Sequence, residues 1–286
     1  MPAACSTVIL LGEFDGVHRG HVALVAAARQ LARQHDAVVV AVVADRGEGV
    51  PRIMGVRRRC ELLISHGVSS TFVAPLPRPI DVRGALGPAL ERTNPIAVFV
   101  DRESWPVQPH DALLEYVHGI GAEVRYRAAE RDTTLGTIDA TSIIHRIRTG
   151  DVCAAGTLLG RPYELVGVIA TRGTRCSSTG FKTERVLPAP DIVLPRNGVY
   201  AARTLIDRRW VGVAVNVGTR PTFDTSGRVV VDGHLIEFDS DLKDAELSLR
   251  FVRRLRDEVQ FSGPSDLAAQ IELDVAAVSA LLRSKA

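Results

Sequence analysis

Four consecutive apolar residues, Val8-Ile9-Leu10-Leu11, run straight into a glycine, and that junction limits what the chain can become. A short unbroken apolar run suits a strand buried on both faces. The chain then passes Gly12 and a tight Asp15-Gly16 turn and enters an apolar stretch, His21–Ala32, that suits a helix. Strand, glycine turn and helix N-terminus together make an anion site, because free backbone N–H groups and the helix dipole both favour phosphate there. His18 and His21 fall three apart at the start of that helix and so share one face. Two imidazoles in such a place can donate hydrogen bonds to phosphate oxygens as charge builds on them.

The same alternation continues. Ala37–Ala44 is a valine-rich apolar run that reads as a second buried parallel strand, and Arg57–His66 reads as a helix closed by Gly67. Further strands are expected at Thr71–Ala74, Ala97–Val100 and Glu123–Tyr126, with helices near Arg83–Glu91 and over Ala112–Ile120. Strands alternating with helices imply a doubly wound parallel sheet, whose ligands bind at the carboxyl ends of the strands. The two histidines fall at such an end.

Net charge is +2, too balanced to argue for nucleic acid or an anionic membrane as partner. No apolar run reaches the ~20 residues of a spanning helix, and the N-terminus carries no secretory pattern. Cys5, Cys60, Cys153 and Cys176 lack metal-type spacing and read as reduced thiols, which places the chain in the cytoplasm.

The stretch Gly12-Glu13-Phe14-Asp15-Gly16-Val17-His18-Arg19-Gly20-His21 resembles the signature of the HxGH nucleotidyltransferases. In this longer form it is similar to the prokaryotic bifunctional riboflavin kinase/FAD synthetase family. The resemblance implies nucleotide binding by Gly12, Phe14, Asp15, Gly16 and Thr141, with His18 and His21 catalytic. Two segments depart from the family. Its Gly-x-Asp-Phe-x-Phe-Gly segment is here Phe99-Val100-Asp101-Arg102-Glu103-Ser104-Trp105. Its Ile-Ser-Ser-Thr-Arg-Ile-Arg segment is Ile138-Asp139-Ala140-Thr141-Ser142-Ile143-Ile144, so the two arginines that would meet the leaving pyrophosphate become Ser142 and Ile144. Arg146 and Arg148 lie nearby and read either as solvated helix residues or, for one of them, as a reach to phosphate.

From Thr149 the text changes, through a short helix at Val152–Leu159, to strand-like runs. We place a domain boundary near residue 155, with a nucleotidyltransferase domain over 1–155 and a β-barrel domain over 156–286. Runs at Leu165–Thr171, Gly198–Leu205, Arg209–Val217, Arg228–Phe238 and Glu246–Leu255, set off by turn residues, suggest a closed or half-closed antiparallel barrel. Ser265–Leu282 reads as an amphipathic helix packed against it.

Asn197-Gly198-Val199-Tyr200, Asn216–Phe223 and Leu255-Arg256-Asp257-Glu258 look like the riboflavin kinase domain of the same family. The resemblance implies a flavin pocket shaped by Asn216, Arg220, Thr222 and Arg256. It also implies nucleotide binding at Gly180 and Thr183, with Thr183 holding magnesium. The family's loop Gly-Phe-Pro-Thr-Ala-Asn is here Gly180-Phe181-Lys182-Thr183-Glu184-Arg185, and its catalytic glutamate two residues before a histidine is Asp232. A guanidinium offers magnesium no oxygen. Asp232 reads either as a shortened general base or as a turn aspartate beside Gly233, and Glu237 is a weaker candidate for the base.

The resemblance therefore implies two ATP-dependent reactions: FMN plus ATP to FAD plus pyrophosphate, and riboflavin plus ATP to FMN, the second expected to be impaired. Magnesium, ATP and the flavins riboflavin, FMN and FAD are the implied cofactors and substrates. Two other readings stay open. One is nucleotide transfer to a different phosphorylated or flavin-like acceptor, and the other is a non-catalytic flavin or nucleotide binder.

Overall fold

The computed structural model describes residues 6–75, 93–101, 110–126, 130–170, 174–175, 181–219, 229–240 and 242–283, with Gly87 and Leu90 as single positions. The chain divides into two compact units, Met1–Ile143 with Leu158–Gly160, and Ile144–Thr157 with Arg161–Ala286.

The first unit is built on five parallel strands: β1 (Thr7–Gly12), β2 (Val38–Asp45), β3 (Ser70–Pro75), β4 (Pro95–Val100) and β5 (Glu123–Tyr126). Helices α1 (Arg19–Gln34), α2 (Val56–Ser65) and α3 (His110–Gly119) belong to this unit. The sheet order is β3-β2-β1-β4-β5. The chain winds outward one way from β1 and then returns to build the other half, so β1 and β4 flank the topological switch point. All six residues of β1 are buried, as befits the central strand of a sheet covered on both faces. Ile9, Leu11, Val40, Val42, Val98 and Val100 pack into one core cluster. A small antiparallel pair, β6 (Arg131–Asp132) and β7 (Gly136–Thr137), precedes α4 (Ala140–Thr149) and α5 (Val152–Leu159).

In the second unit β8 (Glu164–Ile169), β9 (Thr174–Arg175), β10 (Lys182–Pro188), β11 (Gly198–Ile206), β12 (Arg209–Thr219), β13 (Val229–Leu235) and β14 (Glu246–Arg256) form one antiparallel sheet. The sheet order is β13-β12-β11-β14-β8-β10-β9, and β13 also pairs with β10, closing six strands into a barrel. The β11–β12 hairpin turns through Asp207 and Arg208, both at positive φ, as a two-residue hairpin turn requires. Along β12, Val211, Val213, Val215 and Val217 are buried inward, while Ala214 lies on the opposite face. There α6 (Pro264–Arg283) covers it, Val278 joining Ala201, Ala214 and Val252 in a second cluster.

The expected parallel sheet, barrel and terminal helix are all present. Four strands went unread: β6, β7, β9 and β10. The segment taken for a loop at Gly180–Arg185 enters β10 at Lys182, so Thr183 and Arg185 are strand residues. The helix expected over Arg83–Glu91 lies outside the described residues except at Gly87 and Leu90, which are helical. Cys60 and Cys153 are free thiols, while Cys5 and Cys176 lie outside the described residues. No helix among the described residues is long and apolar enough to cross a membrane.

Candidate functional site

Gly12 closes β1, and a Cβ there would come 3.3 Å from the Phe14 ring and 3.4 Å from Asp101 Cβ. The chain then kinks through Phe14 (φ 53), Gly16 (φ 79) and Val17 (φ 39) before α1 begins. A β-branched residue at positive φ is a strained conformation, of the kind that concentrates at functional sites.

Buried groups hold this turn in place. The Asp15 carboxylate accepts the backbone N–H groups of Ile53 and Met54 and lies 3.2 Å from the Arg59 guanidinium, with both side chains buried. Arg59 also donates to the carbonyls of Glu13 and Met54. Three of the residues expected at the nucleotide have partners inside the protein. The Asp15 side chain is fully engaged inside the protein. Phe14 is completely buried, its ring edge set against His21. A Cβ on Gly16 would strike Ile53 at 2.8 Å, so this position needs glycine for its φ and its packing.

His18 and His21 are brought together as expected. Their rings stack at 3.7 Å with a 19° tilt, and His18, the N-cap of α1, accepts the backbone N–H of His21 at Nδ1. Gly20 sits between them for a steric reason: a Cβ would lie 3.1 Å from the His18 ring and 3.5 Å from the Ile138 carbonyl oxygen. His21 Nε2 meets Asp101 Oδ2 at 2.8 Å, while His21 Nδ1 is buried without a hydrogen-bond partner. Asp101 follows directly on β4, so the switch point itself brings the pair together. The sequence kept this aspartate in view without assigning it a partner.

Arg19 pairs with Asp132 at 2.8 Å, fixing the β6–β7 hairpin beside the start of α1. The backbone N–H of Thr134, the Arg19 guanidinium and the backbone N–H of Leu135 hold the Asp132 carboxyl below its usual range. Thr141 is exposed on the first turn of α4, whose Ser142 N–H is capped by Asp139. Burial pushes the Glu13 carboxyl upward, and the nearby Arg46 only partly offsets this.

In the barrel, Asp232 lies in the middle of β13, which removes the turn reading. Its cross-strand neighbours are Arg185 on β10 and Asn216 on β12. Arg185 Nε contacts Asp232 Oδ1 at 3.1 Å, and Asp232 is only 6% exposed. Thr183, two residues before Arg185 on β10, shares the alternation of that face. His234 Nδ1–H donates to the Lys182 carbonyl oxygen at 2.7 Å, and its ring meets Phe181 edge-on. Glu237 lies just beyond β13 at positive φ.

Arg256, expected at the flavin pocket, is paired within the barrel unit. Its Nε and Nη2 form a fork on the Asp274 carboxylate at 3.0 and 2.7 Å, and Nη1 donates to the Asp257 carbonyl. It docks α6 onto β14. Gly180, Arg220 and Thr222 lie outside the described residues.

Two family models match in tandem: FAD synthetase over residues 1–78 and riboflavin kinase over residues 159–282. A bifunctional riboflavin kinase/FMN adenylyltransferase of Pseudomonas fluorescens is 29% identical, covering 96% of this chain and 92% of its own. The protein of the same description from Listeria monocytogenes is 25% identical over 93% of this chain and 90% of its own.

The chain belongs to the bifunctional riboflavin kinase/FAD synthetase family.

It is a divergent member. Its fold also matches a crystal structure described as a macrolide-efflux protein from Streptococcus pneumoniae, with TM-score 0.80 and 22% identity over 98% of this chain and 95% of the other. At that identity the likeness concerns the fold alone.

Within the family the two units differ in what they keep. The paired histidines and their turn are whole. On the barrel, a resident magnesium at Thr183 does not fit the donor set, because the neighbouring outward residue on β10 is Arg185, already bound to Asp232. Magnesium takes oxygen ligands in near-octahedral geometry, and a guanidinium has no lone pair to give.

Proposed function

We propose that the N-terminal unit transfers the adenylyl group of ATP to the phosphate of FMN, giving FAD and pyrophosphate. The observation that carries this reading is the stacked His18–His21 pair at the head of α1, braced by Asp101 at the switch point of the sheet. We take residues 1–155 as the transferase domain and 156–286 as the riboflavin-kinase-like barrel.

The chemistry needs position and charge stabilisation rather than covalent help. ATP enters with its magnesium as co-substrate. An oxygen of the FMN phosphate attacks the α-phosphorus, that new P–O bond forms, and the bond to the β-phosphate breaks to release pyrophosphate. The free N–H groups at the start of α1 bind phosphate oxygens, and the Gly12 turn brings the backbone close. His18 and His21 stabilise the negative charge that grows on those oxygens. With Nε2 held by Asp101, His21 has Nδ1 left for a ligand oxygen. Thr141 on the first turn of α4 adds a hydroxyl. Asn216, Arg220 and Thr222 are the flavin-binding residues of the barrel.

A second reading has its own support. The first turn of α4 carries Ala140, Thr141 and Ser142 and no basic side chain, which favours an acceptor or leaving group different from those of the family. Incubation of the protein with magnesium, ATP and FMN, followed by mass spectrometry of the products, decides between them. FAD is the expected product, and its absence with turnover of another acceptor would move the assignment to the second reading. A His18→Ala/His21→Ala protein that loses turnover but keeps ligand affinity marks an enzyme; loss of affinity alone marks a binder.

A further inference from the structure

Strand β10 carries charge on both faces. Inward, Lys182 Nζ pairs with the buried Glu184 at 3.1 Å and donates to the Ser240 carbonyl. On the other side of the strand Arg185 meets Asp232. Arg185 and Asp232 are direct register partners on neighbouring strands, so the barrel's own pairing brings them together and no loop has to close. Two of the residues that depart from the family's pattern are thus spent on each other.

The consequence is chemical. A carboxylate acting as base must be free to accept a proton from the attacking hydroxyl, and this one is held by a guanidinium that never gives its own proton up. A divalent cation placed beside Asp232 would also face a fixed positive charge at short range in a partly dehydrated setting. The Asp232 side chain is 8% exposed and that of Arg185 35%, so water screens the pair incompletely.

We propose that Arg185 is the resident cation of the barrel face: it takes the place beside Asp232, excludes a divalent metal ion and keeps the carboxylate from acting as a base. The barrel then does not phosphorylate riboflavin. Resting on the adenylyl-transfer reading above, this sets the protein's place in a sequence of reactions. The FMN used by the first site must come from a separate ATP-dependent phosphoryl transfer. That reaction joins the terminal ribityl oxygen to the γ-phosphorus, breaks the bond to ADP and passes the hydroxyl proton to solvent.

The test uses the full-length chain, with manganese plus ADP as the probe and the His234 ring signals as the local readout by nuclear magnetic resonance. His234 lies two residues beyond Asp232 along β13, on the same side of that strand. The wild-type signals are expected to stay sharp, those of Arg185→Asn to broaden, and those of Arg185→Lys, which keeps the charge, to stay sharp. Broadening in the wild-type protein overturns the proposal, as does a folded Arg185→Asn protein whose signals remain sharp. Riboflavin and magnesium ATP given to the wild-type protein should yield no FMN, and this arm needs no variant to fold; FMN formation would sink the idea. FAD formation from FMN is measured on the same preparations, so that failure of the adenylyl-transfer reading is seen separately from failure of this one.

Discussion

His21 Nε2 and Asp101 Oδ2 meet at 2.8 Å although the residues stand 80 positions apart, because β1 and β4 lie side by side and each ends at the same edge of the sheet. The carboxylate fixes the ring through Nε2, and Nδ1 is buried without a hydrogen-bond partner. Asp101→Asn preserves shape but weakens that hold, and adenylyl transfer should fall by about tenfold to a hundredfold, mainly in kcat. His21→Ala should cost about 10²-fold or more. Steady-state kinetics with FMN and ATP check both, and an Asp101→Asn protein with unchanged kcat would remove the aspartate from the site.

Gly20 makes a purely steric prediction. A Cβ at this position would sit 3.1 Å from the His18 ring, with the Ile138 carbonyl 3.5 Å away on the other side. Gly20→Ala makes the His18 ring give by a few tenths of an ångström beside His21. Overpacking of this kind costs about 1–3 kcal/mol, so the melting temperature should drop modestly. Turnover should drop far more than stability, since the reacting groups move. Thermal melts beside kinetics separate the two effects.

The difference between the two units explains how much the sequence could tell. The parallel sheet was legible because buried central strands such as β1 and β2 are unbroken apolar runs, and the barrel was legible because its strands alternate between turn signals. Strand β10 was hidden by its own charges: Lys182, Glu184 and Arg185 read as loop, and only closure of the barrel shows Glu184 turned inward. The internal partners of Asp15 and Arg256 were hidden for a related cause. A motif does not show the long-range partners of its residues, and here those partners, Ile53 with Arg59 for Asp15 and Asp274 for Arg256, follow from tertiary packing. Asp232 was ambiguous for the same reason, its meaning set by the strand opposite.

Arg256 and Asp274 supply a stability prediction. Asp274 is 7% exposed and is gripped by both nitrogens of the fork, with Gln270 adding a third contact. Arg256→Ala leaves a buried carboxylate without its cation. Because the Arg256 side chain is partly open to water, the cost should be about 2 kcal/mol rather than the full value for a buried pair. Asp274→Asn on the Arg256→Ala background should recover part of it, since the stranded charge is then gone. Urea unfolding of the single and double variants measures this, and equal midpoints for wild type and Arg256→Ala would show that α6 docks by its apolar face alone.

Asp132 makes the hairpin beside α1 acid-sensitive. Its carboxyl is held below the ordinary value of 3.8 by the Thr134 N–H first and then by Arg19 and the Leu135 N–H. A lowered pKa in the folded state means that the folded state binds this proton less readily than the unfolded one. The contribution is therefore complete above the ordinary value and is lost as the pH falls below it. At neutral pH, Asp132→Asn should loosen the β6–β7 hairpin and free Arg19, read as faster amide exchange at Thr134 and Leu135. That difference from wild type should shrink below pH ~3.8 as the wild-type carboxyl takes up its proton.

Glu13 works in the opposite direction, and its sign makes it the sharper test. Burial raises its carboxyl above the ordinary 4.5, outweighing the help of Arg46 and Arg59. The folded state then holds this proton more readily than the unfolded one, so stability falls as the pH rises from 4.5 through the folded value. Glu13→Gln cannot ionise and escapes that loss. Below pH ~4 the variant and wild type should differ little in the contribution from this titration, and above it the variant should gain steadily on the wild type. Melting temperatures of both proteins across pH 4 to 8 test the claim. A wild type that instead gains on Glu13→Gln as the pH rises would mean that the Arg46 pair outweighs the burial of Glu13, and that this corner of the turn is held by charge rather than strained by it.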